Sequence, residues 1–402
     1  GKGRWEADEA NKPAEVEAIE AFLFSQAEFR HNVITHHCEI RWTEEAGFLP
    51  LTDRDVNTLW GRMNKTVGRV YLTDIYNVIH SEFVPLFNPF QSYFDHLPSW
   101  DGVSDPIGDL ADTVHVKSDQ AEFRDYFRKW FVGILPALLD DTVVNHEILV
   151  LIGEQGLYKT TWFNFLLPPE LRCYFYTKTN SDRLNKDDLF SLTEFALICF
   201  EELDGMRPAE LNQLKAMVTM PYVNERAAYG RNKERHPHIA SFCGTGNNVQ
   251  FLTDPTGNRR WLPFEVSQIR DPHQHAIPYE LVYSQAYALW KSGFCHWFSQ
   301  EEIRKLNMHN SRFEVPNLEE DLIRTHFRKP FEGETGIFVT AADILEQISS
   351  CLRYPLSPNK IGRIMAGLEF ESIRYKGKRG YIAVKKTGED IDRERRSGAL
   401  GL

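Results

Sequence analysis

The chain has 402 residues, 42% hydrophobic and 13% aromatic, which is enough for two or three domains with their own cores and excludes disorder as the default. Its 57 acidic against 46 basic side chains give a net charge of −11, which argues against indiscriminate nucleic-acid binding but leaves local basic patches open. No apolar run approaches the roughly 18 to 20 residues of a membrane span, and the opening residues are too polar for a signal peptide.

In chain order, residues 1–100 read as a small α+β or helical domain. It holds a helix from Ala14 to Gln26, a hairpin around Asn32 to Trp42, a helix opened by Thr52 and Asp53, and a helix from Ile75 to Phe83. Turn formers and aromatics between Asn88 and Gly102 suit a connection. Residues 101–270 form the second piece. Its lead-in, 105–145, spaces Phe123, Tyr126, Phe127, Trp130, Phe131 and Ile134 as a helix does, and strands then alternate with helices to about Val266. Such alternation signals an α/β fold with a parallel sheet. Residues 271–330 read as helical. Residues 331–386 give helices at Thr340 to Ser349 and Pro358 to Ala366, then strands Phe370 to Tyr375 and Gly380 to Val384 around a basic turn, the order of a winged helix. The charged tail 387–402 is predicted disordered.

Six scattered cysteines with no C-x-x-C pair read as reduced thiols of a cytoplasmic protein, and the cluster His36, His37, Cys38 has no matching second cluster, so no zinc is predicted. The opening Gly-Lys-Gly without an initiator Met points to a processed chain or a piece of a longer one.

The most informative stretch is EILVLIGEQGLYKTT, Glu147 to Thr161. An apolar strand running into a glycine-bearing turn that ends in Lys-Thr is how proteins hold a nucleotide triphosphate. Gly153 and Gly156 let the backbone wrap closely, Leu157, Tyr158 and Thr161 complete the loop and helix start, Lys159 reaches the β- and γ-phosphates, and Thr160 places its hydroxyl on Mg²⁺. Tyr158 stands where the pattern G-x-x-x-x-G-K-[ST] has glycine.

Hydrolysis needs an acidic pair on a second strand, and FALICFEE, Phe195 to Glu202, supplies it: Glu201 as metal ligand and Glu202 as general base, with Asp204 a lesser candidate. A third strand, His238 to Cys243, leads to Asn247, a polar amide suited to orient water beside the γ-phosphate. Arg259 and Arg260 precede a strand from Trp261 to Val266 and suit the charge on a transferring phosphoryl group when supplied by a neighbouring subunit. Between the second and third strands a basic stretch holds Arg226, Tyr229, Arg231, Lys233 and Arg235, cations for phosphates and a ring for stacking on an unpaired base. Lys376, Lys378 and Arg379 in the winged-helix turn form a second, weaker basic candidate.

Four ordered blocks carry a family resemblance: GEQGLYKTT; NKDDLFSLTEFALICFEELDGM; LKAMVTMPYVNERAAYGR; and HPHIASFCGTGNN followed by FLTDPTGNRRWLPFEV. Together they resemble the virulence-associated protein E-like family, within the wider set of superfamily 3 and poxvirus-type primase-helicases of mobile elements. That resemblance implies an AAA+-like P-loop core, ATP and Mg²⁺ held between subunits of a homo-oligomer, a hexamer, and translocation on single-stranded or forked DNA. It also points to a primase domain or protein as partner, and to no membrane. The implied activity is an ATPase and DNA helicase of a phage-type replication system. The competing reading is a nucleotide-gated oligomeric DNA-binding or defence ATPase without unwinding. A metabolite kinase would leave the arginine pair and the terminal winged helix without a role.

Overall fold

The computed structural model describes residues 14–179, 186–225, 234–253, 258–349 and 357–396. Two compact units result, Gly1–Glu314 and Val315–Leu402.

The first unit starts with helix α1 (Val16–Gln26) and the antiparallel hairpin β1 (Ala27–Asn32) and β2 (His37–Trp42), followed by β3 (Leu49–Pro50), α2 (Asp53–Thr66), α3 (Leu72–Ile79) and β4 (Leu86–Phe87). The short strands flank the hairpin in the order β3-β2-β1-β4. A capping box starts α2: Thr52 Oγ1 accepts the Asp55 N–H, and the Asp55 carboxylate accepts the Thr52 N–H at 2.9 Å. Helix α3 begins earlier than the predicted Ile75, because Asp74 takes the Tyr71 N–H at 2.9 Å and fixes the first turn there. Leu23, Ile40, Leu59, Met63 and Ile75 fill the local core. Cys38 joins them, its thiol pushed up to about 11 by burial.

The segment read from sequence as a connection holds a helix, α4 (Pro89–Asp95), started by Asn88, whose side chain accepts two backbone N–H groups. Its Phe90 and Phe94 are buried in the core under the main sheet, so their aromatic area is part of the packing and not of a linker. Helix α5 (Pro106–Ala111), β5 (Val114–Val116) and the long α6 (Gln120–Leu139) follow. Strand β5 was not foreseen, three residues being too few to show a period.

The sheet continues with β6 (Ile148–Ile152), then α7 (Lys159–Phe165), β7 (Phe175–Lys178), α8 (Lys186–Glu194), β8 (Leu197–Phe200), α9 (Pro208–Val218), the hairpin β9 (Tyr222–Glu225) and β10 (Glu234–Pro237), β11 (Ser241–Gly246) and β12 (Trp261–Ile269). The six-stranded order is β5-β12-β6-β11-β8-β7, parallel from β12 to β7 with β5 antiparallel at the edge. Its inner strands β6 and β8 are apolar on both faces, as burial on both sides requires. In β6, Leu149 and Leu151 face the α6 side with Phe127 and Phe131, whereas Ile148, Val150 and Ile152 face Leu211, Leu214 and Val218 of α9. Trp130 spans from α6 to the sheet and donates its indole N–H to the Phe242 carbonyl at 2.9 Å. Helices α10 (Tyr279–Lys291) and α11 (Gln300–Asn310) complete this unit. No described helix is long and apolar enough to cross a membrane.

The second unit comprises α12 (Leu318–His326), β13 (Phe327–Arg328), β14 (Ile337–Val339), α13 (Ala341–Ser349), α14 (Pro358–Gly367), β15 (Ser372–Tyr375), β16 (Lys378–Lys385) and α15 (Gly388–Arg396). Strand β16 pairs antiparallel with β13, β14 and β15, the first two being additions to the predicted pair. Positive φ at Lys376 (48°) and Gly377 (80°) makes the tight turn of the β15–β16 hairpin. The disorder predicted for 387–402 is corrected by α15 as far as Arg396, and residues 397–402 lie outside the described residues. Thr387 and Asp390 cap each other, and acidic residues at its start suit the helix dipole, which periodicity alone did not reveal.

Candidate functional site

In a parallel sheet the loops after the strands share one edge, and here that edge collects the loops after Ile152, Phe200 and Gly246. Gly153 starts the first loop with no room for a side chain, since a Cβ would lie 2.9 Å from the Val266 carbonyl oxygen of β12. Gly156 has φ 85° and Tyr158 φ 59°. The departure from the glycine pattern thus keeps the glycine conformation: Tyr158 adopts the left-handed backbone at a cost of roughly 1–2 kcal/mol, and its ring turns outward, 42% exposed.

Lys159, at the start of α7, is nearly buried; its ammonium donates to the carbonyls of Gly153 (2.5 Å) and Glu154 (2.7 Å) and lies 3.4 Å from Asn247 Oδ1. Burial lowers its pKa from the usual lysine value, while the nearby Asp204 carboxylate opposes the shift. One residue on, Thr160 Oγ1 donates to Glu201 Oε1 at 2.7 Å. Glu201 extends the β7–β8 ladder, its N–H donating to the Lys178 carbonyl at 3.0 Å, and the Lys178 ammonium makes a buried ion pair with Asp188. Glu202 follows with φ 55° and is exposed. A 360 Å³ cleft joins these groups, walled by the loop from Gln155 to Thr161, by Glu201 and Glu202, and by Thr245, Gly246 and Asn247. The predicted loop, acid pair and asparagine therefore meet in one place. Thr245 and Gln155 were not foreseen, because a threonine inside a strand and a loop glutamine carry no distinguishing pattern.

The donor set suits a hard cation: a hydroxyl and a carboxylate oxygen, with the remaining positions left to phosphate and water. Among the described residues no group of three or more His, Cys, Asp or Glu forms a protein-only metal cage. A larger cleft of 820 Å³ between Arg30, Phe48 and Tyr93 on one side and Cys173 and Tyr174 on the other includes none of the predicted site residues.

The arginine pair lies elsewhere. Trp261, which follows Arg260, pairs with Ile148 at the start of β6, whereas the lysine loop follows Ile152 at its end. Asn310 fixes the turn by donating to the carbonyls of Asn258 (2.8 Å) and Trp261 (3.0 Å). Arg259 is exposed; Arg260 is half-buried, its pKa lowered by burial and by Arg259, and partly restored by Glu147. Of the basic stretch, Arg235 is exposed on β10 with its guanidinium 3.3 Å over the Tyr222 ring. Arg226, Tyr229, Arg231 and Lys233 lie outside the described residues. Lys376, Lys378 and Arg379 are exposed on the β15–β16 hairpin.

Fold and site together define an α/β protein that gathers a lysine, a threonine, a carboxylate and an amide at the C-terminal edge of a largely parallel sheet. Residues 95–315 match the virulence-associated protein E-like domain, and the chain belongs to that family. Among solved structures it is similar to the apo structure of the NrS-1 C terminal region (305-718), with 12% identity, a TM-score of 0.49, and coverage of 92% of this chain and 99% of that one. The A form apo structure of the same region gives 12% identity and a TM-score of 0.48 over the same shares. No curated protein matches.

Proposed function

We propose that the chain is an ATP-hydrolysing, ring-forming DNA helicase or translocase of a mobile-element replication system, with residues 101–270 as an AAA+-like P-loop core and 331–386 as a winged helix. The observation that carries this reading is the 2.7 Å contact between Thr160 and Glu201 beneath Lys159 and Asn247, which joins the phosphate-loop residues to the acid-pair strand. With ATP bound, Gly153, Gly156, Leu157, Tyr158 and Thr161 shape the phosphate cradle, and Lys159 leaves its loop carbonyls for the β- and γ-phosphates. Thr160 and Glu201 would hold Mg²⁺, which would neutralise phosphate charge. Glu202 accepts the proton of the attacking water, and Asn247 orients that water.

The arginines support a site completed by a second subunit. Four residue steps of β6, at about 3.3 Å each, separate Ile148, the partner of Trp261, from the end of the strand at Ile152. Arg259 or Arg260 therefore serves the pocket of a neighbour, as a hexameric ring permits. Arg235 with the residues 226–233 contacts single-stranded DNA, and Lys376, Lys378 and Arg379 add phosphate contacts.

The test is ATP hydrolysis with Mg²⁺, with and without single-stranded DNA, together with strand displacement on a fork. DNA should stimulate turnover, and Lys159→Ala should lower it about a hundredfold or more. ATP binding without DNA-stimulated hydrolysis would overturn the translocase and leave a nucleotide-gated binding module.

A further inference from the structure

In the turn that follows β8, the Asp204 carboxylate holds two backbone N–H groups and has no role in the proposed hydrolysis. It sits in the 3-10 turn Leu203–Gly205 that follows Glu202, and it is absent from the lining of the nucleotide cleft. Its two carboxylate oxygens accept separate backbone N–H groups at the end of β11: Oδ1 from Asn247 at 3.1 Å and Oδ2 from Asn248 at 3.0 Å. Charge-assisted bonds of this kind are stronger than neutral ones and fix a backbone segment in direction as well as distance.

The facing strand is shaped to receive that turn. A Cβ on Gly244 would sit 2.2 Å from Leu203 Cδ1, and a Cβ on Gly246 would sit 3.0 Å from Asp204 Oδ1. Because alternate residues of a strand point to one side, two glycines two apart clear a single face. Leu203 and Asp204 occupy the space they leave. Glu202, immediately before, has φ 55°, so the chain turns abruptly from the acid pair into this seat.

We propose that Asp204 is a positioning residue that locks the sensor Asn247 to the turn carrying Glu201 and Glu202. The inference rests on the ATPase reading for its consequence and on the backbone bonds for its existence. With the lock in place, the Asn247 amide near Lys159 moves only together with the acid-pair turn. The sensor, the acid pair and the lysine thus respond to nucleotide as one body. As a strut, Asp204 does not take the proton of the attacking water.

Two measurements test this. In hydrogen exchange, Asp204→Ala should raise the exchange of the Asn247 and Asn248 amides at least about tenfold, and Asp204→Asn, which keeps one acceptor oxygen, should do so less. In steady-state hydrolysis, Asp204→Ala and Asn247→Ala should each lower kcat by about tenfold to a hundredfold with nucleotide affinity nearly unchanged. The double variant should be no worse than the poorer single one. Gly246→Ala, which crowds Asp204 without removing it, should reproduce the kcat loss with the fold retained. Unchanged amide exchange overturns the lock, as do additive kcat losses in an active enzyme. If the wild type binds but never hydrolyses ATP, the ATPase reading fails, and amide exchange alone still decides whether Asp204 holds the sensor.

Discussion

The two edges of the main sheet are built from different materials. At the edge where β6, β8 and β11 end, short loops with unusual backbone angles (Gly156, Tyr158, Glu202) bring Lys159, Thr160, Glu201 and Asn247 around a cleft. At the opposite edge, where β6, β11 and β12 begin, Asn145, His238 and Asn310 are almost fully buried and bind backbone or side chains firmly, and Arg259 alone of the arginine pair projects into solvent. One edge spends stability on strained geometry, as sites that bind and react do. The other is a closely packed mount that presents Arg259 outward. On the proposed reading, the lysine end of one copy and the arginine end of a neighbouring copy would together make one reaction site.

Exchange between copies gives the largest effect and the sharpest break of that comparison. Arg259→Ala with Arg260→Ala should lower ATP turnover by about a thousandfold while leaving nucleotide binding intact. Lys159→Ala should lower turnover by about a hundredfold or more but leave the arginines in place. Mixed, the two inactive proteins should recover turnover, because some interfaces then pair an intact lysine loop with an intact arginine turn. No recovery, with mixed oligomers demonstrated by mass, would make the arginine edge purely structural.

The second effect is on stability against pH and belongs to the mount. His238 donates its Nδ1–H to the Met220 carbonyl at 2.7 Å and is fully buried, and burial lowers its pKa to about 4. It stays neutral in the fold while the unfolded chain gains a proton below its ordinary value near 6.5. Its contribution is therefore complete above pH 6.5 and is lost as pH falls toward 4, amounting to about 3 kcal/mol over the window. Glu147 on the same edge has the opposite sign: burial pushes its carboxyl up to about 7, so its contribution falls as pH rises from the usual carboxylate range toward 7. Urea midpoints from pH 4 to 8 should show His238→Gln flattening the acid side and Glu147→Gln the neutral side. Parallel curves for all three proteins would refute the assignment.

How much of this was legible depends on the kind of signal. The strand-loop-helix at Glu147 to Thr161 and the acid strand at Phe195 to Glu202 were readable because fully apolar runs ending in polar residues mark buried parallel strands. Their meeting in one cleft followed from the parallel order. The side of the sheet on which Arg259 and Arg260 fall required the register Trp261↔Ile148, which no local pattern encodes. Helix α4 was missed because Asn88-Pro89 reads as a turn whether it ends a segment or caps a helix. Helix α15 was missed because nine mostly charged residues show no apolar stripe. Asp204 was read as a lesser candidate beside the acid pair, and its bonds to the Asn247 and Asn248 amides and the facing Gly244 and Gly246 reveal its seat.

The smallest effect separates the two edges most cleanly. Asn145, just before β6, is 1% exposed and donates its amide to the Trp130 carbonyl and to Ser241 Oγ, both at 3.1 Å. It also lies against Gly133, where a Cβ would stand 3.1 Å from its Oδ1, so α6 and the start of the sheet close over it without slack. Asn145→Ala removes the partner of a buried carbonyl and leaves a small void, which should cost roughly 2 kcal/mol by thermal or urea unfolding. If the mount only holds the sheet, ATP affinity and the KM for ATP should not move, since the lysine loop begins beyond the far end of β6. A matching loss of nucleotide affinity would mean that slack at one edge reaches the loop at the other, and the sheet would then transmit between half-sites instead of merely separating them.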